Sequence, residues 1–159
     1  MLQTYLKLAR HLLDKLPEIN WIDFDKGQID NEQEYESIIT PGLLLDFSRV
    51  QWTGTGRGNQ LGEGQVIVKL VFTKPVETFT RTKNPLQDYE AFDTLNFALH
   101  QTFSAMREVK ERRDSVGYFT QHWYIIETIY DLQISYEVPV KTIPKPEPNI
   151  LSTILNIPQ

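Results

Sequence analysis

The chain has 159 residues, of which 40% are hydrophobic and 23% charged, and it contains no cysteine. A domain of this length buries roughly 70% of the surface that its unfolded chain exposes, so one self-sufficient core is expected. The composition argues against a disordered or fibrous protein. The lack of cysteine excludes disulfides, thiolate catalysis and cysteine-bound metal clusters. The net charge of −5, from 21 acidic and 16 basic residues, argues against nucleic acid as a direct ligand.

The sequence also predicts no membrane partner. No uninterrupted apolar run approaches the roughly 20 residues that a membrane span needs. Residues 1–16 form an amphipathic repeat instead of the basic and apolar blocks of a signal peptide. We therefore expect a protein that is neither secreted by a signal peptide nor membrane-spanning.

The first forty residues predict a helix, a short strand and a loop. Apolar residues recur at helical steps before Pro17, at Leu2, Tyr5, Leu6, Ala9, Leu12, Leu13 and Leu16. Residues 20–29 hold large apolar and acidic side chains around Gly27, which predicts a short strand or extended segment and a turn. The acidic residues 30–37 predict a solvated loop, and Pro41-Gly42 predicts a change of chain direction.

Two alternating segments predict a pair of strands joined by a glycine-rich connection. The first covers residues 43–52 and the second covers residues 66–72. Residues 53–64 between them contain five glycines, which predicts either a long, mobile hairpin loop or a hairpin with an extended tip. Long loops in compact domains usually have a function, so this connection is a candidate contact surface.

A second helix is predicted to start at Asn84-Pro85, where asparagine can cap the helix and proline suits its first turn. Apolar residues at steps of three and four carry the pattern from Leu86 to Val109, about six turns. Basic residues are expected at its C-terminal end, where the helix dipole is negative. These residues are Lys110, Arg112 and Arg113.

Strands are expected to follow the second helix. Gly117 is predicted to break the chain after that helix. Residues 119–138 are rich in aromatic and β-branched side chains that alternate between two faces, with a bend or short turn at Asp131. The predicted fold class is α+β: a mainly antiparallel sheet packed against one long helix and an N-terminal helix.

The last part of the chain predicts an extended C-terminal arm. Residues 139–159 contain five prolines, too many for a helix or an inner strand to cross the segment. The apolar side chains of its tip are Ile150, Leu151, Ile154, Leu155 and Ile157. Two interpretations stay open: the arm packs on its own domain, or it docks on a neighbouring subunit. Residues 1–138 are accordingly predicted as a single domain and residues 139–159 as the arm.

The sequence indicates no catalytic, cofactor-binding or metal site. His11, His100 and His122 are isolated and fit no metal-ligand spacing. The glycines at 54, 56 and 58 precede a strand, so no helix N-terminus is present to hold a phosphate. The acid pairs at 23/25 and 34/36 are typical of solvated surfaces. The tryptophans at 21, 52 and 123 fit core or interface anchors better than a sugar-stacking platform.

The order of these parts resembles the tail terminator, or tail completion, proteins of long-tailed bacteriophages and prophages. The resemblance spans residues 1–138. It rests on the leading helix, Pro-Gly-Leu-Leu-Leu-Asp-Phe at 41–47, Gln-Leu-Gly at 60–62, Val-Ile-Val-Lys-Leu-Val at 66–71, the long helix and the closing strands. Pro-Glu-Ile at 17–19 and Trp-Ile-Asp at 21–23 add to the likeness. The proline-rich end is longer than the family's minimal domain.

The resemblance implies a structural virion protein without catalysis. Such proteins form a homohexameric ring on the last ring of the tail tube, stop its polymerisation and offer a docking surface to head-connector proteins. The implied partners are further copies of the chain, the tail tube protein and head-tail connector proteins, with DNA only passing through the lumen. The implied location is the head-proximal end of the virion tail, after assembly in the host cytoplasm.

Two surfaces are predicted to make these contacts. The first is the hairpin tip, whose polar contact groups are Arg57, Asn59, Gln60 and Glu63. The second is the apolar part of the arm, represented by Ile150, Leu151, Ile154 and Leu155. Alternative functions are a head-to-tail connector or another tail-completion subunit, a small enzyme with an unrecognised acid pair, and a carbohydrate-binding module.

Overall fold

The structure is a computed structural model that describes residues 2–31, 38–56, 59–75 and 86–136. These residues form two helices and one mixed five-stranded sheet, which confirms the α+β class. In chain order the elements are α1 (Leu2–Lys15), β1 (Trp21–Phe24), β2 (Gly42–Gly56), β3 (Asn59–Thr73), α2 (Leu86–Ser104), β4 (Val109–Phe119) and β5 (Trp123–Tyr136). Neither described helix is long and apolar enough to cross a membrane.

The five strands lie in the order β1-β2-β3-β5-β4. β1 is parallel to β2, whereas the β2–β3, β3–β5 and β4–β5 pairs are antiparallel. β3 therefore lies in the middle, and the described edges of the sheet are β1 and β4. β1 is only four residues long and pairs with residues 42–45, so the rest of β2 extends beyond it.

Both helices pack on one face of the sheet, called here the helix face, because each presents one stripe of apolar residues. The side chains that these segments bury in the main core are Leu8 and Leu12 of α1, Leu16 just after it, and Leu95, Leu99 and Phe103 of α2. They join alternate sheet residues in one core, among them Leu43, Leu45, Val66, Val68, Leu70, Ile126 and Tyr130. Burying one such side chain contributes about 1.5–3 kcal/mol, so this face supplies most of the hydrophobic stabilisation.

A bulge explains how the alternating pattern of β2 continues past residue 47. Between Asp46 and Arg49, β2 takes three residue steps where β3 takes two. The extra residue returns the alternation to the helix face, so Val50 enters the same core as Phe47 despite the odd spacing. The predicted extension of the strand through Val50 and Trp52 is confirmed.

The opposite face of the sheet, called here the open face, is covered near the start of β2 by residues in the described part of the chain. A smaller core of Ile38, Leu44, Val71, Trp123 and Ile125 lies there, with Trp21, Ile29 and Tyr118 packed against it. The chain between β1 and β2 contributes Ile29 and Ile38 to this cluster and thus covers that end of the sheet. Its turn contains Gly27, whose positive φ of 81° is a conformation that glycine adopts without strain.

The connection between β2 and β3 is a hairpin with an extended tip. The two strands stay paired as far as Gly56 and Asn59, so the alternative prediction of a long mobile loop over residues 53–64 is wrong. The packing of Trp52 accounts for the glycine at position 62 of the hairpin, because a Cβ on Gly62 would lie only 2.9 Å from the indole ring. The glycine therefore gives the indole a place to pack on the neighbouring strand.

The second helix is shorter than predicted. It ends at Ser104, and Val109 begins β4. Met106 and Val109 continued the helical spacing because both still pack against the main core, but they do so from a turn and a strand. The basic residues Lys110, Arg112 and Arg113 are not at a helix C-terminus, because they belong to β4, where charged side chains are typical of an edge strand.

Two further predictions about this region are wrong. Gly117 does not break the chain; it lies inside β4 opposite Ile126, and a Cβ there would come within 2.6 Å of the Tyr124 hydroxyl. Asp131 is not a bend, because β5 runs unbroken from Trp123 to Tyr136. The predicted helix cap at 84–85, most of the acidic loop at 30–37 and the arm at 139–159 lie outside the described residues.

Candidate functional site

The predicted contact residues of the hairpin do not share one surface. Gln60 is exposed and belongs to the even-numbered positions of β3, whose side chains point to the helix face. Glu63 is exposed and points to the open face, where its carboxylate accepts a hydrogen bond of 2.6 Å from the Gln133 amide. Asn59 is half-buried where the strands leave the tip. Arg57 lies outside the described residues, as do Ile150, Leu151, Ile154 and Leu155.

The open face carries a polar row across four strands, made of Arg49, Gln65, Asp131 and Arg113. The Gln65 amide accepts from Arg49 Nη1 at 3.4 Å and donates to Asp131 Oδ1 at 3.2 Å. Arg113 Nε then donates to Asp131 Oδ2 at 2.5 Å. This bond and the Asp131 charge raise the pKa of Arg113. The row links β2, β3, β5 and β4 by side-chain bonds in addition to their backbone ladders.

A bulge in β4 positions the last member of the polar row. The register shifts between Arg112 and Asp114, so Arg113 is the extra residue of the strand. Arg113 also lies 3.8 Å from Glu111, so this cation has carboxylates on two strands. Beside the row, the open face near the hairpin carries the exposed Gln51, Glu63 and Gln133 and the half-buried Leu61, in contrast to the buried cluster at the covered end of the same face.

A partly buried ion pair marks the boundary between the covered and the polar parts of the open face. Lys69 Nζ lies 2.7 Å from Asp25 Oδ2, and their side chains are 20% and 11% exposed. Burial alone would lower the pKa of Lys69, but the hydrogen bond and charge of Asp25 overcome it and raise that pKa. Burial raises the pKa of the neighbouring Tyr118 hydroxyl. The pair links Asp25, the residue after β1, to the central strand β3.

The helix face contains an apolar groove of about 300 Å³ between α1, the α2–β4 turn and the end of β5. Its apolar walls are Leu8, Phe47, Met106, Val109, Leu132 and Ile134. The rim carries an ion pair in which Lys7 Nζ is 2.6 Å from Glu108 Oε1. The hydrogen bond from Lys7 lowers the pKa of Glu108, and partial burial opposes that effect. The groove can accept aliphatic side chains.

The histidines form no metal site within the described residues. His100 Nδ1 lies 3.3 Å from the Ser104 hydroxyl and 3.4 Å from the Tyr130 hydroxyl. Burial, with a contribution from Arg112, lowers the pKa of His100. Burial raises the pKa of Tyr130 to about 12. In the described ranges, no three His, Asp or Glu side chains are grouped closely enough to hold a metal ion.

The tryptophans are packing residues, as predicted. Trp123 is buried and Trp21 packs against the same small core on the open face. Trp52 is half-buried and packs against the main core on the helix face. Since the three indoles divide between two faces of the sheet, they form no common platform on which a sugar would stack.

Sequence reasoning did not identify the polar row or the apolar groove. The row had a signal, because Arg49, Gln65 and Asp131 are polar positions within otherwise alternating strands. Recognising that these residues lie side by side required the strand order, since β3 and β5 are far apart in sequence. The groove had no sequence signal, because its walls come from four separate parts of the chain.

Comparison with known proteins identifies no family for this chain. No protein-family model matches the chain, and no curated protein matches it either.

Proposed function

We propose that this chain is a tail terminator of a long-tailed bacteriophage or prophage. In this proposal it forms a hexameric ring that caps the tail tube, stops its polymerisation and presents a docking surface to head-tail connector proteins. It acts through contacts and has no catalytic site. Its place is the head-proximal end of the virion tail.

The observation that best supports this proposal is the division of the sheet into a helix face and a polar open face. A ring subunit needs one face that packs internally and another that meets solvent or DNA. The helices cover the first face with the main core, whereas near the hairpin the second face bears the polar row and Glu63. DNA passing through a lumen should slide without being held, so a surface on which Arg113 and Lys69 are already paired with carboxylates suits that lumen.

The edges of the sheet give a second line of support. β4 is an edge strand of 11 residues, and β2 extends from Asp46 to Gly56 beyond its short partner β1, within the described part of the chain. Two different edges on opposite sides of one subunit can meet head to tail, and such heterologous contacts generate rings when the rotation closes. Lateral contact between these edges would bring the open faces of successive subunits around one axis.

The extended arm is part of the proposal. Residues 139–159 combine five prolines with an apolar end, which suits a segment that reaches a neighbouring subunit. The hairpin tip, with Arg57 as its first charged contact, would meet the tube or the connector. Each surface then has its own partner: the arm contacts the ring, and the tip contacts the adjoining structure.

The deciding experiment mixes the purified protein with polymerising tail tube protein from the same genome and measures tube lengths and ends by electron microscopy. We expect shorter tubes, each ending in a sixfold ring. Arg57→Ala should reduce capping, whereas Arg10→Ala, an exposed arginine on α1, should cap as the unchanged protein does. Tubes of unchanged length without caps would reject the terminator function. Binding to purified connector in that case would identify a connector subunit instead.

A further inference from the structure

The apolar groove on the helix face lies where the described chain ends. Ile134 and Ser135 line it, and Tyr136 completes β5. Residues 137–159 continue from that point. An apolar groove of about 300 Å³ is at the lower end of the range of roughly 300–1,000 Å³ that binding pockets occupy. The groove is therefore large enough to hold part of a peptide segment.

The continuing sequence contains a segment whose chemistry fits this groove. Residues 149–157 hold no proline, and Ile150 and Leu151 are repeated four residues later by Ile154 and Leu155. Side chains four residues apart lie on one face of a helix, which is the spacing of segments that lay an apolar stripe into a groove. The polar residues between them would face solvent.

The linker between β5 and this segment favours a neighbouring copy of the chain over the same chain. The 14 steps from Tyr136 to Ile150 include prolines at 139, 144, 146 and 148. Proline-rich linkers favour polyproline II, which advances about 3.1 Å per residue and stays stiff over several residues, or about 43 Å here. The radius of gyration of a domain this size is about 14 Å. Extended in this way, the linker would carry the apolar segment beyond its own domain and within reach of the groove of a neighbouring copy.

We propose that the groove between α1 and the end of β5 binds residues 150–157 of a neighbouring copy of this chain. This inference deepens the proposed function and rests on its self-association. Burying four aliphatic side chains would supply the hydrophobic stabilisation of the contact. Each copy both gives an arm and receives one at a different surface, which is a heterologous contact. The ion pair of Lys7 and Glu108 would border the bound segment.

The test uses the full chain and its lack of cysteine, because single introduced cysteines can then be cross-linked without ambiguity. One chain carries Thr4→Cys in the groove wall, and a second, isotope-labelled chain carries Ser152→Cys in the arm. The control chain carries Thr94→Cys, an exposed threonine on α2 away from the groove. The chains are mixed up to high concentration and treated with a short bismaleimide, and cross-linked peptides are identified by mass spectrometry. A chain with both Thr4→Cys and Ser152→Cys tests the contact within one chain.

We expect cross-links between Thr4→Cys and Ser152→Cys of different chains, at least about tenfold above the Thr94→Cys control. Adding Ile154→Asp to the arm should return them to the control level, because a carboxylate is costly to bury unpaired. This change leaves the described core contacts intact.

Two outcomes would overturn the inference. One is cross-linking found only within single doubly substituted chains, which would mean that the arm returns to its own groove. The other is no cross-linking above the control. If tubes are still capped in either case, the proposed function stands without this contact. If the mixed cross-link forms but tubes are not capped, the groove contact stands and the terminator function is rejected.

Discussion

Gly64 has no room for a side chain. Its φ is +148°, and a Cβ there would clash with the carbonyl oxygen of Arg49 at the bulge of β2. We expect Gly64→Ala to lower the free energy of unfolding by about 2–4 kcal/mol, because both backbone strain and a clash oppose it. Urea unfolding followed by tryptophan fluorescence measures this change.

Gly54 on the same hairpin is the matched control. A Cβ at Gly54 meets no atom within 4 Å. Gly54→Ala should therefore leave the free energy of unfolding within about 0.5 kcal/mol of the unchanged protein. Equal losses in both variants would show that Gly64 is not held by the bulge.

The Lys69–Asp25 pair should contribute more to the free energy of unfolding than the exposed ion pairs of the described chain. We expect Asp25→Asn to cost roughly 1–3 kcal/mol at pH 7, because it leaves a partly buried ammonium without its carboxylate. Asp14→Asn removes an exposed partner of Lys15 at 3.8 Å and should change stability by less than about 0.5 kcal/mol. Chemical unfolding of both variants at pH 7 compares the two pairs.

The same pair predicts a pH dependence whose sign is fixed by Lys69. Its pKa in the folded protein is raised above the ordinary 10.5, so the pairing stabilises the fold fully below pH 10.5. That contribution is lost as the pH rises through the folded-state pKa. The difference in unfolding free energy between the unchanged protein and Asp25→Asn should thus stay constant from pH 7 to 9 and shrink above pH 10.5. A difference that shrinks between pH 7 and 9 would contradict this origin.

At the scale of elements, α1 offers a direct comparison of its two faces. Leu12 is fully buried in the main core, whereas its neighbour Leu13 is 45% exposed. Leu12→Ala should cost about 2–5 kcal/mol, because it removes core contacts and leaves a cavity. Leu13→Ala should stay within about 0.5 kcal/mol. Thermal unfolding of the two variants checks this, and similar losses would mean that α1 packs on both sides.

The elements that were predicted well are those whose local pattern agrees with their tertiary setting. α1 has an apolar stripe and a proline after it, and it ends at Lys15 as Pro17 indicated. β3 and β5 alternate without interruption because one face of each meets the main core. In these segments the positions that the sequence pattern marks as apolar are the positions that the fold buries.

β4 was missed because its conformation depends on a partner far from its own pattern. Its residues are mostly exposed and charged, so no alternation of apolar side chains indicates a strand. Met106 and Val109 happened to continue the helical spacing of α2. The segment becomes a strand by pairing with β5, and such tertiary pairing overrides local propensity. The candidate surfaces followed the same rule, because the polar row and the groove exist only after distant strands meet.

For the whole molecule, we expect a truncation to distinguish the role of the domain, residues 1–138, in stability from the role of the arm, residues 139–159, in association. Every described core contact lies within residues 2–136. A chain that stops after Val138 should keep its unfolding temperature and remain a monomer. The full chain should associate, and its unfolding temperature should rise with protein concentration by mass action. Calorimetry and analytical ultracentrifugation at several concentrations measure both. A large loss of thermal stability in the truncated monomer would instead place the arm within its own domain.

The strand order also determines how the chain can acquire its structure. β2–β3 and β4–β5 are local hairpins, whereas β3 joins β5 through partners at least 50 positions apart, from Thr73 to Trp123. Local hairpins close quickly, and the long-range pairing must overcome a larger loop entropy, so we expect it to form last. Until then, the inner edges of β3 and β5 are unpaired and match those of any other copy. Rapid refolding at high concentration should therefore yield dimers that have exchanged their β4–β5 hairpins.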